Sequence, residues 1–135
     1  MTPGQWKEVE AKLNHPWGEA RLRVDGYELT LQVQAVAALR YAIIPFVNGF
    51  NRGVWLSKNE AGEWCEEARR FLPLKKLYLY NRAKLAKLKL PKTMKEEMAS
   101  KHIEARGPYW TSFAALKRHL IANNESIELA QDTQT

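Results

Sequence analysis

"ARLRVDGYELTLQV", residues 20–33, places apolar side chains on alternate positions, Ala20, Leu22, Val24 and then Leu29, Leu31, Val33, around an Asp25-Gly26 pair. Alternation at period two marks a strand with one face on a core. Asp-Gly supplies the two positive-φ residues of a two-residue hairpin turn. The stretch therefore predicts an antiparallel hairpin. On its C-terminal side, Leu39 to Trp55 is rich in branched and aromatic residues and contains a second turn signal, Asn48-Gly49. That pattern predicts a strand ending near Val47 and a short returning strand through Val54 to Leu56. Pro45 cannot donate to a ladder, so part of the strand belongs at an edge or a bulge. Together these pieces make a three- or four-stranded antiparallel meander.

Helical patterns flank the meander. Thr2-Pro3 is a capping hydroxyl followed by a proline at the first helical position, and Trp6, Val9 and Leu13 then share one face until Asn14-His15-Pro16. Past Leu56, Ser57 to Glu60 fits a capping box, and Trp64, Ala68, Phe71 and Leu72 recur at helical spacing up to Pro73. Thr93 to Glu96 is a second such box, opening a helix that carries Met94, Met98 and Ile103 toward Gly107-Pro108. A last helix follows Thr111-Ser112, with Phe113, Leu116 and Leu120 on one side and Lys117, Arg118 and His119 on the other, ending at Asn123-Asn124. Strands and helices are segregated along the chain, so the class is α+β: an N-terminal helix, a three- or four-stranded antiparallel sheet, then three to four helices. Residues 1–130 read as one domain, and the polar residues 131–135 as a loose tail.

The chain has 135 residues, five of them Trp, and is 45% hydrophobic. It can bury enough surface to offset its ordering entropy without metal or disulfide support. One cysteine, Cys65, provides neither a disulfide partner nor a CxxC zinc pair, which fits a reducing cytoplasm. The first fourteen residues read as an amphipathic helix rather than a leader, and Val33 to Phe50 is interrupted by Gln34, Arg40, Pro45 and Asn48, too polar a run for a membrane span. A soluble cytoplasmic protein is expected.

Catalytic motifs are lacking. The chain has no GxxxxGK[ST], GxGxxG, HExxH, GxSxG or CxxC signature, and His15, His102 and His119 have no ligand neighbours at metal spacing. No metal, cofactor or catalytic residue is expected. Cys65, flanked by Glu63, Glu66 and Glu67, lacks the positive field that would hold a reactive thiolate and reads as a structural thiol. The acidic pairs Glu66-Glu67 and Glu96-Glu97 read as solvated helix surface, and His119 as part of a basic helix face.

Charge is unevenly distributed. Residues 68–95 hold ten Lys and Arg and no Asp or Glu, while the whole chain has 21 basic and 15 acidic residues, so everything outside that run is net acidic. Such a run attracts polyanions, and Tyr78 and Tyr80 among the lysines are rings on which unpaired bases can stack. If Asn81 caps a short helix through Leu90, Arg82 and Lys84 oppose its dipole, and an anion there would relieve the mismatch. Leu77, Leu85, Leu88 and Leu90 at the same time read as the core-facing half of the run. The expected contact set for nucleic acid is Arg69, Arg70, Lys75, Lys76, Tyr78, Tyr80, Arg82, Lys84, Lys87 and Lys89. An acidic protein surface is the competing partner, and a membrane surface is third, since the apolar face lacks the large moment of an interfacial helix. A second contact surface, for protein, is expected at Phe46, Phe50, Arg52 and Trp55, residue types favoured at hot spots, although core packing accounts for Trp55 and one Phe.

The hairpin "PFVNGFNRGVWL" (45–56), the segment "YWTSFAALKRHLIANNESIEL" (109–129) and the lysine-rich stretch between them resemble small uncharacterised proteins encoded by tailed bacteriophages and prophages. The resemblance implies a bacterial cytoplasmic setting and an accessory role in phage replication, host takeover or evasion of defence, and it transfers no residue roles. The overall expectation is a non-enzymatic protein that binds nucleic acid without sequence specificity, or else inhibits a host protein of the defence or replication machinery.

Overall fold

The computed structural model describes residues 1–130; the tail expected at 131–135 lies outside the described residues. The chain is α+β. Its described elements are α1 (Pro3–Lys12), β1 (Glu19–Val24), β2 (Tyr27–Ala37), β3 (Arg40–Val47), a 3-10 turn (Gly53–Leu56), α2 (Glu66–Phe71), β4 (Leu74–Tyr78), α3 (Arg82–Ala86), α4 (Lys92–Ser100), β5 (His102–Arg106), α5 (Phe113–Asn123) and β6 (Ile127–Leu129).

The central hairpin forms as its pattern requires. Asp25 and Gly26 both take positive φ, 46° and 87°, and Ala20 faces Leu31 while Leu22 faces Leu29 across the ladder. The sheet order is β3-β2-β1-β6, all antiparallel, so the three-stranded meander is extended by the C-terminal β6. Val54 to Leu56, expected as a returning strand, winds instead into a 3-10 turn, and only an isolated bridge joins Val47 to Phe50. The edge beyond β3 is partly occupied already, because the Asn51 side-chain amide donates to the Pro45 carbonyl at 2.9 Å. Pro45 does sit on an edge strand, opposite Leu31. The β2–β3 turn comes at Ala38-Leu39, where no Gly or Asn announces it; Leu39 takes φ 57° with its side chain 96% exposed.

Thr2 and Gln5 form a reciprocal capping box at α1, and Ser112 caps α5. The two other boxes do not form. Asn59 bonds its side chain and backbone to Glu63, and Gly62 turns at φ 76°, so residues 57–65 are irregular and α2 starts only at Glu66. Side-chain bonds to nearby backbone compete with helix in this way. Likewise α4 begins at Lys92 without a side-chain cap and stops at Ser100. His102 to Arg106, expected as helix, is strand β5 paired with β4.

Side chains of α1, α2, α5 and the 3-10 turn join the inner sheet face in one buried cluster that includes Trp6, Val9, Leu22, Leu31, Trp55, Phe71, Trp110, Leu116 and Leu120. Trp110 ties the parts together: its backbone pairs both ways with Ile43, at 2.7 and 2.8 Å, and its Nε1 donates to the Phe71 carbonyl at 2.8 Å. A polar knot locks the hairpin turn to α2 and the end of α5. Arg70 Nη1 donates to Asp25 Oδ2 (2.6 Å) and Asn124 Oδ1 (3.0 Å), its Nε donates to Glu66, and Asp25 also accepts from the Glu125 and Ser126 backbone N–H groups. Those backbone N–H groups hold the Asp25 carboxyl below its ordinary pKa, with Arg70 adding to the effect.

Candidate nucleic-acid interface

At Pro73 the chain leaves the core and at Gly107 it returns, the Gly107 N–H donating to the Pro73 carbonyl at 2.8 Å. The excursion between them is β4-α3-α4-β5. None of its side chains joins the main buried cluster. Leu85 is the one large apolar residue of this segment that is fully buried, whereas Leu74, Leu77, Leu79, Leu88, Met94 and Ile103 are exposed. The expectation that Leu77 and Leu88 face a core is therefore corrected: two short strands and two short helices cannot enclose them.

The excursion also concentrates charge. Between Leu74 and Arg106 there are ten basic and three acidic residues, net +7, which leaves the rest of a +6 chain at −1. In β4 all five residues, Lys75 and Lys76 among them, are exposed, and α3 is held by Asn81, whose Oδ1 accepts from the Ala83 and Lys84 N–H groups at 2.8 and 3.3 Å. This cap was legible in the sequence. The anion site imagined above it is not supported, since α3 has only five residues, too few for an appreciable dipole, and Asn81 already satisfies two of its free N–H groups.

The register of the β4/β5 ribbon sorts its side chains onto two faces. Lys76 faces Glu104 and Tyr78 faces His102 on one; Lys75 faces Ala105 and Leu77 faces Ile103 on the other. Leu79 N–H to Lys101 O, at 3.1 Å, carries the pairing one residue further, so Leu79 follows Leu77 on the second face, and the exposed Tyr80 lies in the bend beyond the ladder. The Tyr78 and His102 rings lie 5.6 Å apart with Tyr78 56% exposed.

Of the expected nucleic-acid residues, Lys75, Lys76, Tyr78, Tyr80, Arg82, Lys84, Lys87 and Lys89 all belong to the excursion and are exposed. Lys75 also places its Nζ 5.6 Å from the Tyr109 ring centroid. Arg69 is exposed on α2, outside the excursion. Arg70 is removed from the set, because its guanidinium is committed to the Asp25, Glu66 and Asn124 knot. His119 is not on a basic outer face either: its Nε2 donates to the Arg69 carbonyl at 2.9 Å, its Nδ1 accepts from the Asn123 amide, and its ring packs 5.1 Å from Trp110. Burial pushes its pKa down, and the Arg106 guanidinium adds to that, against the Arg69 carbonyl.

In the second expected surface, Trp55 is 6% exposed and belongs to the core, and Phe46 is half-buried opposite Thr30 on the outer sheet face. Phe50 and Arg52 remain exposed, with the guanidinium 4.8 Å from the ring centroid. Residues missed at the sequence level are His102, Lys101 and Arg106. The polar-apolar alternation His102-Ile103-Glu104-Ala105-Arg106 carried the strand signal, but the helical spacing of Met94, Met98 and Ile103 overrode it.

No group of three His, Cys, Asp or Glu side chains is placed to hold a metal among the described residues, and no described helix is long and apolar enough to cross a membrane. No family model, curated protein or solved structure matches the chain, so the reading of this surface rests on its own geometry.

Proposed function

We propose that the protein is a small non-enzymatic binding protein that contacts nucleic acid without sequence specificity through the 74–106 excursion. The observation that carries this reading is the separation of net +7 on a segment that contributes nothing to the main core from −1 on the remainder. Lys75, Lys76, Arg82, Lys84, Lys87 and Lys89 neutralise phosphates, with Arg69 at the root, and the released counterions drive association. Neutralising about four phosphates gives a slope of log affinity against log salt of roughly −3 on a single strand, or about a fiftyfold loss between about 50 and 200 mM salt. A salt titration of parent and Lys84→Glu/Lys87→Glu by fluorescence anisotropy tests it: the variant binds more weakly with a shallower slope. Absence of binding at about 50 mM salt removes the reading. In keeping with the resemblance above, the setting proposed is the bacterial cytoplasm and the role a phage or prophage accessory one.

One observation favours a second reading, inhibition of a host defence or replication protein. The opposite ribbon face exposes Leu77, Leu79 and Ile103, and such an apolar patch fits a protein partner with an acidic rim. Capture of one stoichiometric host protein from nuclease-treated lysate, abolished by Leu77→Ser/Ile103→Ser, is the outcome this reading requires.

A further inference from the structure

We infer that the ligand of the excursion is single-stranded nucleic acid, held by base stacking on a small aromatic platform formed by Tyr78 and His102; this rests on the nucleic-acid reading above. The platform is a product of register. Tyr78 and His102 are directly opposed in the β4/β5 ladder, their rings tilted at 55° and 5.6 Å apart, and the exposed Tyr80 lies in the bend that follows β4. Cross-strand ring pairs also stabilise ribbons, but a pair serving that purpose alone gains most when covered, and here Tyr78 remains 56% exposed.

The charges around the platform favour bases over phosphates at its centre. Next to the rings Lys76 stands opposite Glu104 in the ladder, so a carboxylate accompanies the positive charge at that end of the face. The cations Arg82, Lys84 and Lys87, in no ion pair among the described residues, follow Tyr80 in the chain on α3 and at its C-terminal end. A strand whose bases lie on Tyr78 and His102 thus has its backbone led toward α3. A duplex keeps its bases stacked inside and cannot use the rings, whereas every unpaired base presents a π-face, so the platform selects strandedness without selecting sequence.

The test compares an oligothymidylate of about 20 nucleotides with a duplex of equal length at low salt, using parent, Tyr78→Val, Tyr78→Phe, His102→Ala and Lys84→Glu/Lys87→Glu. Tyr78→Val keeps a strand-forming residue, and Tyr78→Phe keeps the ring. The expected result is tighter binding of the single strand, a loss of about five- to hundredfold on it for Tyr78→Val, near-parent affinity for Tyr78→Phe, and duplex binding unchanged by either. If Tyr78→Val and His102→Ala leave single-strand affinity within about twofold of parent while the lysine reversals weaken both ligands, the stacking inference is overturned and the charge reading stands. If neither oligonucleotide binds at low salt, both fall together.

Discussion

Removing the excursion is the severest test of this architecture. Replacing Leu74–Arg106 with Asn-Gly turns the observed Gly107 N–H to Pro73 O bond into the closing bond of a two-residue turn, the geometry that Asn-Gly favours. The loss is small: one bond from Arg106 Nη1 to the Leu72 carbonyl, worth about 0.5–1.5 kcal/mol, and two cation contacts, Arg106 with Trp64 and Lys75 with Tyr109, worth about 0.5–1 kcal/mol each. Shortening the connection from 33 residues to two offsets this by up to about 2.4 kcal/mol, four doublings of loop length at about 0.6 kcal/mol each. The excised chain is expected to fold with stability within about 2 kcal/mol of the parent. Were Leu74, Leu77, Leu79 and Leu88 core residues, their loss would cost about 6–12 kcal/mol, enough to unfold an ordinary domain. Urea unfolding followed by tryptophan fluorescence distinguishes the cases, since all five Trp lie outside the excised stretch. A chain that no longer folds, or loses more than about 4 kcal/mol, refutes the claim that the excursion is peripheral. The folded product, net −1 outside the replaced segment, should also fail to bind oligonucleotides at low salt.

Two further outcomes follow from buried and strained positions. His119 is held as the neutral tautomer that donates to the Arg69 carbonyl and accepts from Asn123, with its pKa below the ordinary 6.5. Since the folded state disfavours the charged form, its contribution is intact above pH 6.5 and lost as pH falls through the folded value. Urea midpoints measured from pH 7 down to about 5 should fall more steeply for the parent than for His119→Gln, and identical slopes would contradict the assignment. At the β2–β3 turn, Leu39→Gly relieves a positive φ that costs a bulky residue about 1–2 kcal/mol, against about 0.5–1 kcal/mol of added unfolded-state entropy. A net gain of about 0.5–1 kcal/mol is expected in urea unfolding; a loss would mean that Leu39, despite its exposure, makes a contact worth keeping.

Where sequence reading failed, the cause was local signals that compete on equal terms. Ser57 and Thr93 each begin a capping pattern, but Asn59 and Gly62 offered residues 57–65 a turn, and Pro91 let α4 start early. The 3-10 turn at Gly53–Leu56 buries Trp55 in the core and comes just after Asn51 reaches the Pro45 carbonyl, tertiary contacts that no periodicity encodes. Of the candidate site, the exposed lysines, Tyr78 and Tyr80 were legible as an uncompensated charge run with rings in it. His102 was not, because its place depends on a ladder partner 24 positions away.

By itself the sequence determined the elements whose signals are short-range and unopposed: the Asp25-Gly26 hairpin, where alternation and turn chemistry agree, the capped helices at either end, and the asymmetry of charge. Tertiary structure alone decided which of those charges and leucines are free. Arg70 and Leu77 look alike in the sequence to their neighbours Arg69 and Leu72. Arg70 is drawn into the knot with Asp25 and Asn124, Leu72 is buried, and Leu77 stays in solvent, because exposure depends on partners from distant segments. The same cause converts a basic run into a peripheral β4-α3-α4-β5 excursion: the core closes through Pro73, Gly107 and Trp110 without needing any side chain in between.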